Sequence, residues 1–141
     1  MKLAITTPSI QKTIKLLEEN HHEFRDRILP EIEILFQNAL KNSQSNSSII
    51  FLFKMFQSFK EHFLLHMESE ENELFKNIFN ETHIHHDNIP DNLLLAIEKS
   101  MESLTLQSRS DLVLKLLHQK IHSFQNELKT HSEIEEMIFG N

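Results

Sequence analysis

The stretch LFKMFQSFKEHFLLHMESE, residues 52–70, sets Leu52, Phe56, Phe59, Phe63, His66 and Glu70 at successive steps of three or four. Residues so spaced share one face of an α-helix, so a stripe of apolar side chains ends here in an imidazole and a carboxyl group. A second segment repeats the device, with Leu114, Leu117, Ile121, Phe124, Leu128, His131, Glu135 and Ile138 on one face. An ionised carboxylate among hydrocarbon side chains is costly unless it is paired or binds a cation. The same costly insertion, made twice in one chain, points to a bound metal. Within each H-x3-E unit the two side chains lie about 40° apart around the helix, close enough to serve one site.

Working outward, Ile10, Ile14, Leu17, Phe24, Ile28, Ile32, Leu35 and Ala39 keep the same spacing and predict a first helix over residues 9–42, started by Thr7-Pro8. Pro30 falls inside it and is expected to kink it, because proline lacks an N–H and its ring clashes with the turn before. The polar run KNSQSNSS, residues 41–48, reads as a turn, after which the second helix continues to about residue 80. Pro90, Leu93, Ile97, Met101 and Leu104 mark a shorter third helix, residues 107–110 a turn, and the His131 segment the fourth. Four amphipathic helices with short connections predict an all-α, antiparallel up-down-up-down four-helix bundle, with residues 1–141 as a single domain.

Composition agrees with this architecture and narrows the chemistry. One Gly and three Pro in 141 residues leave too little punctuation for a many-stranded fold. With no Cys, disulfides and thiolate metal sites are excluded, so a metal must be held by nitrogen and oxygen. Residues 1–10 lack the apolar region of a secretory signal, and the most apolar run, residues 49–53, is far too short to span a membrane. A cytoplasmic protein without membrane association is the expectation. A formal charge of −7 and the lack of a basic stripe argue against nucleic acid as a partner. Ten His and eleven Phe, with neither Tyr nor Trp, are the unusual features. The Phe are expected to fill the core.

The histidines fall at matching heights. His22 and His66 lie equally far from a turn centred at residue 44, and His86 and His131 about equally far from one at residues 108–109. The second connection fits less well: with a turn near residue 81, His66 and His86 differ in height by roughly 15 Å at about 1.5 Å per residue. His83 or His85 could stand in for His86. On helix A, stripe geometry alone favours His21 over His22. His62 falls off its stripe but is a further candidate ligand, whereas His118 and His122 read as solvated. Imidazoles with carboxylates suit iron or manganese better than magnesium or calcium.

These segments resemble the hemerythrin-like, HHE cation-binding family, which includes di-iron proteins linked to repair of iron–sulfur clusters. The resemblance rests on His21-His22-Glu23 with Arg25 and Leu29-Pro30, on His66-Met67-Glu68-Ser69-Glu70-Glu71 with Leu74-Phe75, on His86-Asp87, and on His131 and Glu135 followed by Ile138-Phe139. It implies two non-haem iron ions, with His22, His66, His86 and His131 as terminal ligands and Glu70 and Glu135 as bridges. Dioxygen or nitric oxide would be the small ligand, in storage, sensing or a stress response. The family's fifth His is missing near the end of helix A, where Asn38, Asn42 and Ser43 stand, and no Cys-containing extension is present. Beside this binding-protein reading stand a ferritin-like di-iron oxidase, an iron donor for iron–sulfur repair and a structural zinc site. The oxidase class needs Glu-x-x-His on two helices, and here the spacing occurs only at Glu18/His21 and Glu19/His22, both on the first.

Overall fold

A long first helical rod, two further rods and a shorter one make up the chain, and every described residue is helical. The structure, a computed structural model, describes residues 7–42, 47–74, 89–107 and 112–139. Helix α1 (Thr7–Glu23) runs through a five-residue π-helical turn, Phe24–Ile28, into α2 (Leu29–Asn42). Helix α3 (Ser47–Ser69) likewise ends in a π turn, Glu70–Leu74, and α4 (Ile89–Gln107) and α5 (Leu112–Phe139) follow. Counting α1 and α2 as one rod gives four helices, as the patterning predicts. None of the helices described is long and apolar enough to cross a membrane.

The first π turn replaces the kink expected at Pro30. Leu29 N–H bonds back to the Phe24 carbonyl, one residue further than in an α-helix. Widening the turn just before Pro30 relieves the clash of its ring with the residue 26 carbonyl and allows the helix to continue. It also shifts the buried stripe: beyond it Leu29, Ile32, Phe36 and Ala39 are fully buried. Leu35, expected on that stripe, is only partly buried against it. On α4 the buried position is likewise Leu94 rather than Leu93, with Ile97 and Met101 as expected. On α5 the predicted Leu114, Leu117, Ile121, Phe124, Leu128, His131 and Glu135 are all buried, and Ile138 is partly buried.

Helix α3 packs on α4, α4 on α5, α5 on α2, and α2 on α3, so the helices close a ring around one main core. Ion pairs tie neighbours at the surface, Glu33 with Lys60 and Glu31 with Lys120. The middle of the core is aromatic. Phe59 stacks on Phe63 at 5.3 Å, and Phe24, Phe63 and Phe124 close a triangle with ring centroids 5.4–5.9 Å apart. Such offset and edge-on arrangements add to the burial of the rings themselves. A second, smaller apolar cluster, Ile14 and Leu17 with Ile10, Ile134, Ile138 and Phe139, joins α1 to the end of α5. Between the two clusters lie the only buried polar side chains among the described residues: His21, Glu70, His131 and Glu135.

Phe124 is fully buried at the centre of the aromatic group and contacts Phe24, Phe59 and Phe63. Phe124→Ala is expected to lower unfolding free energy by about 3–5 kcal/mol, measured by chemical denaturation. A loss below about 1 kcal/mol would show that the core closes around the void and is not closely packed there.

Candidate metal centre

His21, Glu70 and His131 each place a ligand atom within 4.8 Å of the others, and all three are buried. The donors form a continuous chain. Glu70 Oε2 lies 3.3 Å from His66 Nε2, and its Oε1 lies 3.1 Å from His21 Nε2. His21 Nε2 is in turn 3.2 Å from His131 Nε2, which is 3.3 Å from Glu135 Oε1. Metal–nitrogen and metal–oxygen bonds of about 2.0–2.2 Å, at tetrahedral or octahedral angles, put adjacent donors about 3–3.5 Å apart. The four observed separations therefore have the edge length of a coordination polyhedron. One oxygen of Glu70 faces His21 and the other faces His66, the disposition of a carboxylate that can bridge two cations.

The elements that deliver these groups are irregular where it matters. Glu70 is the first residue of the second π turn, and the first π turn begins three residues after His21. Single π turns occur often at functional sites, because the extra residue re-aims side chains without breaking the helix. Phe24 lies edge-on to the His131 ring at 5.5 Å, so the polar layer rests on the aromatic core.

Neighbouring groups fix the imidazoles. Asn20 Oδ1 accepts a hydrogen bond of 2.9 Å from His131 Nδ1, which leaves Nε2 of that ring unprotonated and turned toward the other donors. On the far side, Arg25 donates to Glu71 Oε2 at 3.0 Å, and the same oxygen lies 3.7 Å from His21 Nδ1. Carboxylate or carbonyl partners behind a ligating imidazole are the usual means of orienting it.

Electrostatics favour the ligating protonation states at neutral pH. Burial pushes the Glu70 pKa up, but hydrogen bonds from His21, His66 and the Glu135 carboxyl outweigh it, so Glu70 titrates well below the usual carboxylate range. His131 is pushed down to about 4 by burial and by repulsion from His21, with Glu70 opposing and His66 adding to the depression. Two carboxyl groups in hydrogen-bond contact, beside the neutral His131 ring, make a donor set suited to a cation.

The sequence-predicted residues separate clearly. His66, Glu70, His131 and Glu135 come together, although His66 sits at the edge of the stripe, 17% exposed, with Met67 in the buried position beside it. His22 does not join them: it is 68% exposed and faces Asp26, and His21 occupies the interior place. The physical reason is phase. Adjacent helical residues point about 100° apart, the spacing Leu17, His21, Phe24 sets the buried face, and the π turn comes too late to rotate it. His62 is partly buried and outside the cluster. His83, His85 and His86 lie outside the described residues. Asn20 and Glu71 were not anticipated; Asn20 was legible only as a polar neighbour of His21. No protein-family model, curated protein or solved structure matches this chain.

Two expectations follow. The unfolded chain takes up a proton at His131 near pH 6.5, the folded one near 4. Between those values the unfolded state binds more protons, so this contribution to stability is complete above pH 6.5 and is lost as pH falls toward 4, on the order of 3 kcal/mol in all. Denaturation of metal-free protein across that range should show this slope, and His131→Gln should flatten it. Asn20→Leu should weaken metal binding about 10–100-fold while preserving the fold, as read by metal competition and circular dichroism; unchanged affinity would remove Asn20 from the site.

Proposed function

We propose that this chain is a hemerythrin-like protein, an up-down-up-down bundle holding two non-haem iron ions that bind dioxygen or nitric oxide. The observation that carries the reading is the row of His66, Glu70, His21, His131 and Glu135, all but His66 buried, whose donor separations of 3.1–3.3 Å match the edges of a coordination polyhedron. The bundle topology is supported by the pairings themselves: His21 meets His131 and Glu31 meets Lys120, so numbers rise along one helix as they fall along its neighbour. Nitrogen and oxygen donors without any thiolate fit iron or manganese.

In this reading His21, His66 and His131 would hold the cations together with the Glu70 and Glu135 carboxylates. A pair of irons supplies two-electron chemistry toward dioxygen and affinity for nitric oxide. The chain orients the His131 imidazole through Asn20, keeps Glu70 ionised, and sets the Phe24 ring edge-on against His131 on the inner side. That apolar ring excludes water from the space beside the imidazole.

Metal analysis of purified protein, with optical spectra before and after oxygen, tests this. Near two irons per chain and a new visible or near-ultraviolet band support the proposal. One zinc per chain with a featureless spectrum removes it. Glu70→Ala and Glu135→Ala should each lose iron, whereas His22→Ala should retain it.

A further inference from the structure

Away from the interior row, α5 carries a second pair of imidazoles at helical spacing, His118 and His122. Side chains four apart stand one above the other on a helix surface, with Cβ atoms about 5–6 Å apart. Two His so placed can chelate one divalent ion, as in zinc-binding H-x3-H helices. His118 is partly buried and His122 is 61% exposed, both at the flank of α5 that packs on α4. Lys120 lies between them in sequence, but it points the other way and pairs with Glu31 of α2, so its charge is engaged elsewhere.

The second observation is Glu98. Its side chain is only 16% exposed, and its Oε1 is hydrogen-bonded to His122 Nδ1 across the seam between the helices. A carboxylate behind Nδ1 fixes that ring and leaves Nε2 facing outward as the ligating atom, the same relation that orients imidazoles in established metal sites. It also adds negative charge next to the pair. Beside His122 opens a groove of about 460 Å³, lined also by Leu94, Glu98, Gln125, Lys129 and Ser132 but not by His118, with room for water next to the His122 ring.

We infer that His118 and His122 form an outer site for one divalent transition-metal ion of the zinc type, with Glu98 as its positioning residue. It stands independently of the interior row, shares no residue with it, and differs in character. Here the ligands are accessible and few, so the ion exchanges readily with solution, whereas interior ions are enclosed. The outer site is thus suited to first capture of metal at the protein surface.

Titration of the full chain with Zn²⁺ alone, followed calorimetrically, tests the inference. Wild-type protein should take up one Zn²⁺ per chain more than the His118→Gln/His122→Gln double variant, whatever the interior row binds. Glu98→Gln should keep the stoichiometry and weaken the outer step about tenfold. In NMR spectra the His118 and His122 ring resonances should move together as that step fills. All three positions are on the outer flank, and circular dichroism verifies that the variants fold. Equal uptake by wild-type and double-variant protein overturns the inference, as does a zinc response of one ring without the other.

Discussion

A carboxylate in the middle of a helical bundle constrains everything around it. Glu70 is buried and ionised, and it stays so because His21 from the first rod, His66 from its own rod and the Glu135 carboxyl from α5 converge on it. That convergence needs α1, α3 and α5 at one level, since His21, Glu70 and His131 come from these three helical rods. Packing alone does not require this layer; hydrocarbon of the same volume would be at least as stable. The polar groups are retained at a cost in stability, which is the physical basis for assigning them a ligand-binding role.

The two π turns belong to the same economy. An α-helix offers a fixed 100° step, and a site needing side chains from a straight helix and a continuous core beneath it must compromise between them. One extra residue in a turn separates the demands. In the first rod the face that carries Leu17 and His21 is set before the turn, and the face that carries Ile32 and Phe36 after it. In the third rod the wider turn begins only at Glu70, which still continues the buried stripe of Phe59, Phe63 and Met67.

Much of this was legible in the residues. α5 is regular from Leu114 to Glu135, and its buried face follows directly from spacing because nothing disturbs its phase. The helical class and four of the ligand candidates followed from the two H-x3-E units. On the first rod motif resemblance selects His22, whose side chain is exposed, whereas simple periodicity selects His21, which lies in the interior. Leu35 and His66 were misplaced for the opposite reason. A π turn inserts a residue that a 3.6-residue repeat does not anticipate, and a stripe broad enough to include Met67 leaves its neighbour at the edge. Asn20 was unreadable, since a hydrogen bond across 111 positions depends on how α1 and α5 pack and leaves no local pattern.

The polar row divides the hydrophobic interior unevenly. Among the described residues, one side holds twenty buried residues, six of them phenylalanines, and the other only Ile14 and Leu17 with a few half-covered neighbours. The smaller half is held by far less apolar contact, so it opens at lower free energy than the rest. Transient fraying of the start of α1 from the end of α5 would expose His21 and His131 while the aromatic half stays intact. Solvent would therefore reach the polar row from that end first, without global unfolding.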